Sequence, residues 1–137
     1  MANWREELAE TVKSKDEREA EEAERQRKRL ESALEVADAA MGKAREALGF
    51  AHQQLDSKKQ PSAFSDEAGA LKLTLHELSI AVELSRADAV LKVVYNEGRP
   101  RDFDFAKDRH LAPKDVEEYV GRRTVELARA AQKSNPW

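Results

Sequence analysis

Between residues 34 and 55, seven apolar side chains follow one another at a strict three-four spacing: Leu34, Ala37, Met41, Ala44, Leu48, Ala51 and Leu55. On a helix that spacing places all seven on one narrow stripe, the pattern of a coiled-coil seam. Large and small residues alternate along it, and Ala33, Ala40 and Ala47 widen its small side. Such a stripe has to be hidden from water, because burial of an apolar face, more than propensity, holds a helix of this kind in place. The alanines let whatever covers it approach the backbone closely. Two covers are open: the chain's own sheet, or a helix of another chain, whether a second copy or a foreign protein.

The same helix extends well beyond the stripe. Residues 3–57 contain no proline, only Gly42 and Gly49, and an abundance of Ala, Glu, Arg, Lys and Leu, all good helix formers. From Lys13 to Arg29, 13 of 17 residues are charged, and Ala20 and Ala23 are the only apolar ones. That segment has no face to bury. It depends on pairs such as Glu21–Arg25 and Glu24–Lys28, each worth ~0.2–0.5 kcal/mol. Ahead of it, Trp4, Leu8 and Val12 recur every four residues as a short apolar stripe of their own.

Lys58-Lys59-Gln60-Pro61-Ser62 ends the helix, and the stretch to Gly69 reads as a linker. Alternation with a period of two then begins. Leu71, Leu73 and Leu75 point one way, and Ile80, Val82 and Leu84 resume on even numbers. The phase changes near Glu77–Ser79, which requires a tight turn or a bulge. Leu91, Val93 and Tyr95 mark a third strand and Phe103 and Phe105 a fourth, with turns at Ser85–Asp88 and Asn96–Gly98. Short connections make this an antiparallel meander. Its second face is wet, carrying Lys72, Thr74, His76, Ala81, Glu83, Lys92, Asp102 and Asp104 around a small apolar spot at Val90 and Val94.

Pro113 suits the first turn of a helix, and Asp115, Glu117 and Glu118 suit its dipole. Val116, Val120, Leu127 and Ala131, with Tyr119 at the edge, supply the stripe facing the sheet, and Ser134-Asn135-Pro136 ends it. The expected architecture is therefore α+β: a long N-terminal helix, a four-stranded antiparallel meander, and a C-terminal helix packed on one sheet face. The chain divides into a charged helical extension (1–29), the heptad-patterned helix (30–57), a linker (58–69) and the sheet with its C-terminal helix (70–137). Residues 30–137 are expected to form one folded unit.

The chain has no cysteine, so disulfides, thiolate metal sites and cysteine nucleophiles are excluded. Met1–Glu7 lacks the apolar core of a signal peptide, and no apolar run approaches the ~18 residues of a membrane span. A cytoplasmic protein without membrane contact is expected.

Catalytic chemistry finds little purchase. His52 reads as an exposed helix residue and His76 as a wet-face residue; neither has a histidine partner at helical or strand metal spacing. Asp102, Asp104, Asp108 and His110 form one acidic cluster, but alternation already places the aspartates in water because Phe103 and Phe105 take the core. The glycines fit no phosphate loop, and no serine lies in a nucleophile elbow. No catalytic, metal or cofactor site, no cofactor and no small-molecule substrate are expected, and the chain does not read as an enzyme.

Arg99, Arg101, Lys107, Arg109, Arg122 and Arg123 are the candidate phosphate contacts. They are interleaved with acids in a chain of net charge −3, whereas phosphate binding usually leaves a clear basic stripe. The order of elements, and the stretch Leu91-Lys92-Val93-Val94-Tyr95-Asn96-Glu97-Gly98 through Phe103-Asp104-Phe105 with the helix after it, resembles the last hairpin and helix of small YbaB-type nucleoid-associated proteins. The resemblance leaves strands at 71–84 without a counterpart, and it implies a dimer that binds DNA.

The expectation is a non-enzymatic protein-interaction or adaptor module, self-associating as a homodimer through Leu34, Ala37, Met41, Ala44, Leu48, Ala51 and Leu55, or binding another protein there. The alternative is a small dimeric nucleic-acid-binding protein using the six cations.

Overall fold

A computed structural model describes residues 3–12 and 14–134. The N-terminal helical region is two helices, α1 (Trp4–Thr11) and α2 (Lys15–Ser57). Side chains that compete with the helix ladder flank the break. Thr11 Oγ1 donates back to the Glu7 carbonyl at 2.7 Å, and Ser14 Oγ caps α2 by accepting from Glu17 N at 3.1 Å. Gln60 N reaches Leu55 O and Lys59 N reaches Asp56 O at the far end of α2, both at 2.9 Å. With Lys59 in the left-handed region at φ 58°, these bonds close a Schellman-type cap, and Pro61 follows.

Five strands come next, not four: β1 (Ser62–Glu67), β2 (Ala70–Leu75), β3 (Leu78–Ser85), β4 (Val90–Tyr95) and β5 (Arg101–Asp104), hydrogen-bonded in sequence order and all antiparallel. The extra strand, β1, occupies half of the expected linker at 58–69. It lies at the sheet edge and carries one large apolar residue, Phe64, so it has no alternation to display. The change of phase seen in the sequence falls at the two-residue turn His76–Glu77, between the paired Leu75 and Leu78.

The fifth strand fixes the direction of the last element, α3 (Pro113–Ser134). With an odd number of antiparallel strands, β1 and β5 run the same way. Helices α2, leading into β1, and α3, returning from β5, are therefore parallel neighbours on one face. Lys43 Nζ lies 3.8 Å from Glu117, and further along Leu55 shares a groove with Ala128. The helix stop expected at 134–136 is consistent at Ser134; residues 135–137 lie outside the described ones.

One buried cluster joins the two helices and the sheet. It takes Ala33, Ala37, Ala40, Met41, Ala44, Leu48 and Leu55 from α2, and Val116, Val120, Leu127 and Ala131 from α3. The sheet contributes its inner rows, among them Leu73, Ile80, Val82, Leu91, Val93 and Phe103. Among the described residues no helix lies on the opposite face of the sheet. Glu83, Lys92 and Asp102 stand there as cross-strand neighbours of alternating sign, which favours pairing of these strands. No helix among the described residues is long and apolar enough to cross a membrane.

Candidate interaction surfaces

The structure places the heptad stripe inside the chain's own core. Ala37, Ala44 and Leu48 have no exposed surface, Met41 and Leu55 are buried, and Leu34 and Ala51 are partly buried against the same cluster. Of the two covers open to the stripe, the sheet and α3 are the one this chain uses. What α2 offers to another molecule is its outward side and its N-terminal part.

The first turns of that part stand clear of the body. Residues 15–29 are exposed throughout, and those before Ala23, where the cleft beside the body begins, project by about 12 Å at ~1.5 Å per residue. It is knitted along its length by side-chain pairs. Arg25 lies 3.9 Å from Glu21 and 3.7 Å from Glu22, and Gln26 donates to Glu22 at 2.9 Å. Glu24 pairs not with Lys28 but with Arg27, at 2.6 Å, and Arg27 also bonds Glu31. The hydrogen bond from Arg27 holds the Glu24 carboxyl below its usual range.

Exposed large apolar side chains are few, and they are not scattered. Among the described residues they are Trp4, Leu8, Val12, Phe50 and Val125, each between 46% and 68% accessible. The first three form the stripe on and just beyond α1, which buries no residue of its own. Phe50 and Val125 rim a groove of about 290 Å³ between α2 and α3, floored by Ala51, Leu55, Thr124 and Ala128. The groove exists because two parallel helices with small residues at their outer contact leave a furrow between them.

The six candidate phosphate contacts do not form one patch. Arg101 lies over the rings of Phe103 and Tyr119, at 5.2 and 6.0 Å. Arg123 lies 4.7 Å from the Tyr119 centroid and bonds Glu126, which raises its pKa further. Arg122 Nε donates to Glu118 at 2.7 Å. Arg99 stands apart in the exposed β4–β5 connection. Lys107 and Arg109 turn to the other side, where α2 leaves the sheet. There Arg109 shares a cleft of about 390 Å³ with Lys28 and Arg29, and Lys107 lines the space beside it with Arg27 and Arg29. Lys28 and Arg29 are far from residue 107 in the chain, so no run of sequence announces this grouping.

Two aspartates of the acidic cluster bond backbone N–H groups. Asp104 Oδ1 accepts from the backbone N–H of Ala106 and Lys107, at 3.2 and 3.1 Å, and Asp108 Oδ1 accepts from His110 N at 3.0 Å. These bonds shape the β5–α3 connection, and no group of three or more potential metal ligands occurs among the described residues. His52 is half-buried rather than exposed, with Nδ1 2.6 Å from Ser62 Oγ and its ring stacked on Phe64 at 6.3 Å. In comparisons with known proteins, no family model, curated protein or solved structure matches this chain.

Proposed function

We propose that the chain is a non-enzymatic interaction module: an α+β body that holds out a charged helix with an apolar tip. The observation that carries this is the distribution of exposed apolar side chains. Large exposed apolar residues gathered into patches mark contact sites, whereas isolated ones carry no such meaning. Here Trp4, Leu8 and Val12 share one helical face, and Phe50 and Val125 share one groove. The heptad stripe gives α2 its rigidity by packing on the sheet; the outward side of the same helix and its tip provide the contact. Affinity capture from the source cells tests this, with the parent chain beside Leu8→Asp and Phe50→Asp. Recovery of a protein, including a second copy of this chain, that one or both substitutions abolish supports the module. Identical recoveries from all three baits would refute it.

A second reading, a nucleic-acid binder, draws support from a different observation. Lys28, Arg29, Lys107 and Arg109 converge around the root of the projecting helix, and among the described residues none of the four has an ion-pair partner. They are a smaller and different set from the six cations suggested by the sequence, sharing only Lys107 and Arg109 with it.

A further inference from the structure

Resting on the interaction-module reading, we infer that the occupant of the α2–α3 groove is α1 of a second copy of this chain, exchanged reciprocally. The five exposed large apolar residues split into a stripe and a furrow, a ridge and a groove of matching character. Trp4, Leu8 and Val12 present a single line of side chains one helical turn apart. The groove has Phe50 and Val125 on its rims and the small residues Ala51, Thr124 and Ala128 along its floor, which admits such a line.

The two patches cannot meet within one chain. From Lys15 to Phe50, α2 spans about 50 Å at ~1.5 Å per residue. The residues from Trp4 to Lys15 would reach only roughly 40 Å even if fully extended. A groove of this kind can therefore receive the stripe only from another copy. In a two-fold pair each copy gives one stripe and one groove, so both patches are covered in both copies and nothing is left over.

Charge points the same way. Residues 4–12 carry Arg5 against Glu6, Glu7 and Glu10, a net of −2. Lys58 lines the groove, and Lys59, Arg129 and Lys133 lie on the exposed ends of the two helices beside it. Asp56, Glu126 and Glu46 are the acids on neighbouring turns; Glu126 is already bonded to Arg123 and Glu46 lies 3.5 Å from Lys43. With Leu8 of one copy beside Phe50–Gln54 of the other, the two α2 helices run antiparallel about an axis near Leu30.

Because the chain has no cysteine, Leu8→Cys with Val125→Cys introduces the only two thiols. Both positions are exposed, so folding is preserved, and circular dichroism checks this. Mild oxidation is expected to link the double variant into covalent dimers on a non-reducing gel, while each single variant stays largely unlinked. Sedimentation of the unmodified parent is expected to show a dimer that Leu8→Asp or Phe50→Asp returns to monomer. A parent that sediments as a monomer and a double variant that fails to cross-link would overturn the exchange. Capture of a different protein that still depends on Leu8 would, in that event, leave the interaction module standing with a foreign occupant in the groove. A parent dimer that survives both aspartate substitutions would overturn it equally, since the contact would then lie elsewhere.

Discussion

Arg45 Nε donates to Asp66 Oδ2 across 2.6 Å, joining the middle of α2 to the edge strand β1. Nearby, His52 meets Ser62 by a hydrogen bond and Phe64 by ring stacking. The edge strand is thus tied to the helix above it by one ion pair, one hydrogen bond and one ring contact. The ion pair and the ring differ in weight. Arg45 and Asp66 are both more than a third exposed, and an exposed pair contributes only ~0.2–1 kcal/mol. Arg45→Ala is therefore expected to lower unfolding stability in urea by less than ~1 kcal/mol. Phe64→Ala removes a half-buried ring and is expected to cost about 2 kcal/mol, below the ~3–5 kcal/mol of a fully buried phenylalanine. Equal losses for the two variants would show that the pair, not the ring, anchors β1.

The buried heptad stripe gives a sharper contrast between sites on one helix. Leu48 and Ala44 have no accessible surface, whereas Ala39 is exposed. Leu48→Ala is expected to lose about 3 kcal/mol through lost transfer energy and a residual cavity. Ala44→Leu forces a larger side chain into the contact between helix and sheet and is expected to cost ~1–3 kcal/mol. Ala39→Leu, with similar helix propensity and no neighbour to crowd, should stay within ~0.5 kcal/mol of the parent. Urea denaturation of the three variants checks the set. A destabilising Ala39→Leu with a neutral Ala44→Leu would place the packed face on the wrong side of the helix.

What the sequence made legible follows from periodicity. The stripe from Leu34 to Leu55, the leucines of β2 and the row Val116–Val120–Leu127 repeat often enough to declare a helix or a strand and its inward face. Strand β1 does not, because Phe64 is its only large apolar residue and an edge strand leaves most of its side chains in water. The missing strand also concealed the parallel arrangement of α2 and α3, and with it the groove. Neither Phe50 nor Val125 differs in sequence from a residue on the border of a buried face; each becomes exposed only through the placement of the other helix. The cluster of Lys28 and Arg29 with Lys107 and Arg109 was hidden for the same reason. His52 is half-buried only because β1 lies beside it, and β1 has no periodicity to announce it.

Ala68 and Gly69 link β1 to β2 as a two-residue turn, and both have positive φ, 29° and 80°. A turn of this type favours Asn-Gly, because an L-residue with a β-carbon pays a steric penalty in the left-handed region that asparagine tolerates best among non-glycine residues. Ala68 is exposed, so replacing it disturbs no packing. Ala68→Asn is expected to raise stability by about 0.5–1 kcal/mol, seen as a higher urea midpoint with unchanged slope. A lower midpoint would contradict the turn geometry.

Tyr95 lies on the inner sheet face opposite Ile80, and burial first, then the Glu126 charge, pushes its phenol above the ordinary value of 10, against the opposing influence of Arg123. As pH rises past ~10 the unfolded chain releases the phenolic proton while the folded chain still holds it. The unfolded state then binds fewer protons, so stability falls with rising pH in that window and is unaffected by this group below it. Tyr95→Phe is expected to flatten the decline in urea midpoint between ~pH 9 and ~pH 11 relative to the parent. A parallel decline in both proteins would mean that Tyr95 titrates alike in the folded and unfolded chain.

The unpaired cations at the root of the projecting helix make the nucleic-acid reading testable on its own. Four groups neutralising four phosphates would give a log–log slope of binding against salt of about −3 to −4, since each contact contributes ~0.9. Fluorescence anisotropy of a random duplex, titrated with the chain at several salt concentrations, measures that slope. Lys28→Glu with Arg109→Glu should then abolish binding, because two attractions become two repulsions within one cleft. Arg122→Glu, whose arginine is already held by Glu118, should weaken it far less. If the parent binds no more tightly than an acidic control protein at low salt, the cleft does not serve nucleic acid. In that case the cations there act locally, offsetting Asp88 and Asp104, which line the same space, where the long helix enters the body.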